Sequence, residues 1–289
     1  YAPRNSGNLY YGNVSVRTAL KNSLNVATVG LLQDIGIQSS RDYLLKVGIP
    51  LDDRDANLSL ALGSLTYGVS PVQLAAAYAP FANGGIFYPP YFIEKIADAD
   101  GRVIYTHQAE SRRVLSPQSA YLMTSLLQTV TASGTGSKLS GAGTPVAGKT
   151  GTVNMTGSGN RDIWMAAYNS EIATACWMGF DKPDQQHKMQ SWVSGGDYTA
   201  ALSTKFYKAC YNGKKKPEFL KADGIVWLKI DRKSIEWAGQ PMLATSLTPK
   251  DYAYSEVFLS SNRPTRESNV WNAPRALSGF YVTHNSKGN

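Results

Sequence analysis

The chain predicts an α+β fold in which helices flank an antiparallel sheet, and three observations carry that expectation. Residues 145–153, 161–169 and 171–180 are short, apolar and turn-bounded, and they follow one another closely, as consecutive antiparallel strands do. Ahead of them stand two strong helix-start signals, Ser70-Pro71 and Ser116-Pro117. Behind them, Ala200–Tyr211 has a helical pattern and is placed to pack back on the sheet.

Each element has a local reason. Over residues 14–35 the apolar positions Leu20, Leu24, Ala27, Leu31 and Ile35 recur at spacings of three and four, which predicts a helix. Ser39 or Ser40 can cap a short helix ending at Gly48. Ser70-Pro71-Val72-Gln73 is a capping box with proline at the first helical position, where its missing N–H costs nothing. That helix should stop at Asn83-Gly84-Gly85, and the one opened by Ser116-Pro117 should run to Gly134. Between them, Tyr91–Ile96 and Val103–Tyr105 flank Asp98–Gly101 and read as a hairpin. The texture changes near residue 213. Residues 1–212 form the main domain in this reading. Residues 213–289 form a small β-rich extension, with apolar runs at Ile225–Ile230, Ala253–Leu259 and Phe280–Val282, and a tail from His284 on.

Composition sets bounds. At 289 residues the chain can bury a substantial core. No apolar run approaches the ~20 residues of a membrane span, and no signal peptide is visible. Tyr1 is not an initiator methionine, and the chain reads as an excerpt of something longer. A net charge of +8 suits either a solvated basic surface or attraction to an anionic polymer or membrane. Nucleic acid is not expected, because Lys214-Lys215-Lys216 is the only basic run and no aromatic residues interleave with it. Cys176 and Cys210 fit neither a metal site nor a disulfide scaffold; they read as buried free thiols, with pairing left open. His107, His187 and His284 lack ligand spacing, so no metal and no cofactor is expected.

The most informative stretch is Gly148-Lys149-Thr150-Gly151-Thr152, which sets a cation among small hydroxyl residues on an expected strand and suits a carboxylate-bearing substrate. Thr150 and Thr152 fall on one side of that strand. A Lys-Thr-Gly alone arises by chance in roughly one chain of this size in ten. A Ser-x-Asn, here Ser23-Leu24-Asn25, is commoner still.

Their surroundings raise both motifs. From Tyr10 to Tyr211 the chain resembles the transpeptidase module of class A, bifunctional penicillin-binding proteins. The likeness includes Tyr11–Leu20 leading into Ser23-Leu24-Asn25, then Ala61-Leu62-Gly63, Gly68-Val69-Ser70-Pro71 and Phe81–Gly85. It continues through Val114–Pro117, Gly134-Thr135-Gly136, Ala147–Thr152, Trp177–Asp181 and Gly195-Gly196. Such enzymes combine Ser-x-x-Lys, Ser-x-Asn and Lys-Thr-Gly. Here the last two are present and no Ser-x-x-Lys occurs anywhere; Thr18-Ala19-Leu20-Lys21 has the spacing with threonine, inside the matched helix before Ser23.

The resemblance implies a penicillin-binding protein and serine β-lactamase-like fold, truncated at its N-terminal side, with the nucleophilic serine upstream of Tyr1 or on a companion chain. It implies a break in the first helix at Ser23-Leu24-Asn25, where periodicity alone gives one continuous helix. Lys149 would hold the substrate carboxylate and, with Ser23, pass a proton toward the leaving group. Thr150 and Thr152 would bind that carboxylate, the Thr152 N–H would be an oxyanion donor, and Gly151 would keep the edge open. Asn25 would bind the substrate's peptide amide while Leu24 faces the core. Gly134–Gly136 is either a loop beside the cleft or a simple turn, and Trp164 and Tyr168 read as strand core. The implied partners are peptidoglycan stem peptides ending in D-Ala-D-Ala, β-lactams, and a membrane reached through an anchor outside this chain. The implied setting is the outer face of the bacterial cytoplasmic membrane, and a longer parent would add a glycosyltransferase. This chain alone is expected to be inactive.

Three rival readings stand beside this one. Gly143–Thr150 satisfies the letter of a P-loop, which needs a buried strand before it and a helix starting at its Lys-Thr. The residues before it are Gly/Ser/Thr-rich and glycines follow it, so nucleotide binding is not expected. A non-catalytic wall-binding or antibiotic-sensing module of the same fold is the main alternative. β-Lactam hydrolysis would need a base for deacylating water, and none is identifiable.

Overall fold

The structure is a computed structural model and describes residues 2–271. The described residues divide into two compact units, one formed by residues 2–10 and 15–223, the other by residues 11–14 and 224–271. Among the described residues no helix is long and apolar enough to cross a membrane.

The first unit begins with helices α1 (Val16–Lys21), α2 (Asn25–Ile35) and α3 (Ile37–Lys46). The chain breaks between α1 and α2, where Ser23 takes φ +54° and stops the helix that periodicity would have continued. Helix α3 starts at Ile37, ahead of the serines that looked like caps, because Gly36 at φ +87° turns the chain directly from α2 into it. Helix α4 (Pro71–Ala82) has the expected reciprocal cap: the Gln73 N–H donates to Ser70 Oγ and the Ser70 N–H to Gln73 Oε1. Strands β1 (Ile86–Phe87), β2 (Lys95–Ala97), β3 (Val103–Thr106) and β4 (Arg112–Arg113) follow, nested as two antiparallel pairs, β2 with β3 inside β1 with β4. The hairpin was expected; the outer pair has two residues a side, too few to show a period. Helix α5 (Pro117–Ser133) is capped by Ser116 and ends at Gly134.

The central sheet is β5 (Ala147–Asn154), β6 (Asn160–Tyr168) and β7 (Ala173–Gly179), antiparallel and in chain order, so β5 is an edge. Alternation along β6 sends neighbouring residues to opposite faces. Tyr168, with Ala147, packs on Val130 and Leu127 of α5 and Ala82 of α4. Met165 and Ala167 pack on Ala200 and Tyr207 of helix α6 (Tyr198–Cys210) and on Leu139. The sheet is thus covered by helices on both faces, as expected. Trp164 is half-buried against Trp177, and Tyr168 is fully buried, its hydroxyl 2.9 Å from Thr124 Oγ1. Cys176 and Cys210 are half-buried free thiols beside the α6 cluster.

The second unit holds a three-stranded antiparallel sheet ordered β10-β8-β9, made of β8 (Ile225–Asp231), β9 (Met242–Leu243) and β10 (Ala253–Leu259). Helix α7 (Arg232–Ala238) follows β8 and is capped by Asp231. The first two apolar runs expected here are β8 and β10. The third, Phe280–Val282, and the tail from His284 lie outside the described residues.

Candidate active site

The site is assembled at β5, the edge strand, opposite the α1–α2 break. The break presents Ser23 outward while Leu24, its neighbour, is buried. Lys149 Nζ donates to Ser23 Oγ at 2.8 Å and to the Thr150 carbonyl at 3.0 Å. Both acceptors are neutral. Burial lowers the Lys149 pKa from 10.5 to about 8, because removing water from an ammonium penalises its charged form.

The two strand hydroxyls are held from different sides. Thr150 Oγ1 lies 2.7 Å from Thr135 Oγ1, which the loop after α5 delivers. Thr152 Oγ1 accepts the Gly195 N–H at 3.1 Å. Gly195 and Gly196 permit this approach by having no side chain. A Cβ on Gly195 would sit 2.4 Å from the Gly151 carbonyl oxygen, and one on Gly196 would sit 2.4 Å from that of Thr135. Asp197 ties off the loop by accepting the Ser194 N–H and hydroxyl and pairing with Lys138 at 3.1 Å, contacts that lower its pKa, that of the Ser194 N–H most.

Asn25, at the start of α2, lies on the same helical lobe as Ser23, and its Nδ2 donates to the Arg4 carbonyl at 2.8 Å. Gly151 faces Trp164 across the β5–β6 pair. The structure thus brings Lys149 into contact with Ser23, with Thr150, Gly151 and Thr152 following on the same strand, while Asn25, two residues after Ser23, is bonded to Arg4. Of the two readings the sequence leaves open for Gly134–Gly136, the loop beside the strand is the one seen, and Gly195-Gly196 had been marked only as a match. Their contacts with the threonines span 15 and 43 residues, and local pattern carries no signal for them. Lys149 and Thr150 lie within a strand and no helix starts there, which removes the P-loop reading.

A strand-borne Lys-Thr-Gly facing the serine of a Ser-x-Asn at a helix break, on a helix-covered antiparallel sheet, supplies two of the three elements that penicillin-binding proteins combine. Residues 3–209 match the penicillin binding protein transpeptidase domain, and the chain belongs to that family. It is 40% identical over 204 residues to penicillin-binding protein 1F of Bacillus subtilis (strain 168), covering 70% of this chain and 28% of that protein. It is 29% identical to penicillin-binding protein 1A of Pseudomonas aeruginosa, covering 91% of this chain and 36% of that protein. The chain thus spans about a third of the length of these curated relatives. Among solved structures, penicillin-binding protein 1A from Haemophilus influenzae superposes with a TM-score of 0.75 at 25% identity, covering 93% of this chain and 43% of the other. PonA1 of Mycobacterium tuberculosis in complex with penicillin V shares the fold at a TM-score of 0.65 and 23% identity, covering 75% of this chain and 62% of the other.

Proposed function

We propose that this chain supplies the substrate-gripping edge and the proton relay of a peptidoglycan D,D-transpeptidase. The reaction is acyl transfer from a D-Ala-D-Ala stem peptide through a serine acyl-enzyme, and β-lactams compete for the same cleft. The observation that carries it is the 2.8 Å contact of Lys149 Nζ with Ser23 Oγ on an edge strand presenting Thr150 and Thr152.

Acyl transfer requires a nucleophile, a route for its proton, oxyanion donors and a grip on the substrate. The grip is Lys149 with the Thr150 and Thr152 hydroxyls, a cation and two O–H groups suited to a terminal carboxylate. With a pKa near 8, Lys149 is mostly protonated at pH 7 yet gives up a proton more readily than an ordinary lysine. A proton can pass from Lys149 to Ser23 and on to the departing D-alanine amine, which leaves as a neutral product. Asn25 exchanges its Arg4 partner for the substrate's peptide group, Gly151 admits the substrate to the strand, and the Thr152 N–H serves as one oxyanion donor.

The nucleophile is assigned to polypeptide outside this chain, since no Ser-x-x-Lys tetrad occurs within it. It would lie on the remainder of a longer protein or on a companion chain. The names of the relatives and the penicillin V complex of PonA1 support β-lactams as ligands. A glycosyltransferase, a membrane anchor and a place on the outer face of the bacterial cytoplasmic membrane belong to the same proposal for the longer protein.

Intact-mass spectrometry of the protein, purified with whatever polypeptides accompany it and exposed to penicillin, tests this. One drug mass should appear on a segment carrying Ser-x-x-Lys. An adduct on residues 2–271 would mean that the nucleophile is misassigned, and no adduct on any Ser-x-x-Lys-bearing form would overturn the transpeptidase reading.

A further inference from the structure

We propose that Thr135 is a positioning residue that sets the direction of the Thr150 hydroxyl, so that both strand threonines offer their protons to an anionic chain end. This rests on the carboxylate-gripping role proposed above for Lys149, Thr150 and Thr152.

The argument is one of hydrogen-bond polarity. A threonine hydroxyl has one proton to donate and lone pairs to accept with. At Thr152 the direction is fixed, because the Gly195 N–H can only donate, leaving the Thr152 proton free to point elsewhere. At Thr150 the one hydroxyl in contact among the described residues is that of Thr135, at 2.7 Å, and one of the two must donate. If Thr135 donates, Thr150 is placed like Thr152, with its oxygen satisfied from inside and its proton turned outward. Two outward O–H groups beside an ammonium match an acceptor-only, negatively charged ligand such as a carboxylate, whereas a carboxamide brings a single acceptor oxygen and no counter-charge.

Thr135 is built to hold that post. Its N–H donates to the carbonyl of Lys21, two residues before Ser23, at 3.1 Å. On the other side its own carbonyl is packed so closely under Gly196 that a Cβ there would sit 2.4 Å away. The backbone of Thr135 is thus pinned between the helical lobe that carries Ser23 and the loop that fixes Thr152, with its side chain on Thr150.

The test is a ¹⁵N–¹H NMR titration of this chain with N-acetyl-D-alanyl-D-alanine and with its C-terminal carboxamide, at millimolar ligand. The acid should shift the Thr152 and Gly195 amides, and the carboxamide should not. Thr135→Val should weaken acid binding about tenfold and leave the carboxamide response unchanged, while Thr135→Ser should restore the acid to within twofold. Thr135→Val binding the acid like the unmodified chain would overturn the inference. So would a Thr135→Ser variant that binds the acid as weakly as Thr135→Val, which marks a residue acting through packing and not through its hydroxyl. An unmodified chain that does not distinguish acid from carboxamide would overturn the carboxylate grip itself, before any variant is compared, and Thr135 with it.

Discussion

Lys149 in the first unit and Asp231 in the second are both ionisable side chains drawn out of bulk water, and the fold treats them in opposite ways. Asp231 is fully buried and surrounded by donors. The Lys233 N–H reaches one of its oxygens, and the Ser268 hydroxyl and Trp271 Nε1 reach the other. Its backbone carbonyl takes the Ser234 hydroxyl, whose oxygen in turn accepts the Met242 N–H. Among the described residues Lys149 meets two neutral oxygens and no carboxylate, and burial is what lowers its pKa. A buried carboxyl with donors on both oxygens serves the fold. A charge taken from water and left short of a counter-ion is destabilised until a ligand brings one, which is the state a substrate-binding cation needs.

The largest expected effect comes from breaking the satisfied half of that pair. Asp231→Ala strands three donors in a buried place and should cost about 3–5 kcal/mol in urea unfolding followed by tryptophan fluorescence. A loss below about 1 kcal/mol would mean that Asp231 is not the node its contacts suggest.

Lys149 should respond with the opposite sign. Its folded pKa, near 8, lies below the 10.5 of an unfolded lysine. Between those values the unfolded chain binds more protons, so stability should rise as pH climbs from about 8 to 10.5; below 8 this group contributes no slope. Lys149→Met removes the cost of burying the charge. It should be the more stable form at pH 7, by on the order of 2–3 kcal/mol, with the gap closing toward pH 10.5, while recognition of carboxylate ligands collapses. A methionine variant less stable at pH 7 would make Lys149 a structural residue and erase the contrast with Asp231.

The sequence revealed these two regions to different depths. Helices α4 and α5 were legible from single signals, Ser70-Pro71 with Gln73 and Ser116-Pro117, because caps are local chemistry. The three-strand sheet was legible from its apolar runs. The α1–α2 break was not, since Leu20, Leu24 and Ala27 keep helical spacing straight through it; the family likeness at Ser23–Asn25 supplied it. Lys149 was found from its motif, but its contact with Ser23 joins residues 126 apart, and the clamp of Thr135 and Gly195 on the threonines has no local trace. The donors to Asp231 from Ser268 and Trp271 lie 37 and 40 residues away and were equally invisible.

The smallest expected effect sharpens the comparison at Ser23, which pays for its position in backbone conformation rather than in charge. At φ +54° it occupies the left-handed region, which costs a residue bearing a Cβ roughly 1 kcal/mol and costs glycine almost nothing. Ser23→Ala removes the hydroxyl and keeps the strain; Ser23→Gly removes both. Both variants lose the same bond from Lys149 Nζ, so the difference between them isolates the backbone. The glycine variant should unfold at higher denaturant, by about 0.5–1 kcal/mol, with both equally impaired in the proton relay. An alanine variant as stable as the glycine variant would mean that the break at Ser23 carries no strain, and that only the hydroxyl, not the turn presenting it, is held at a cost to stability.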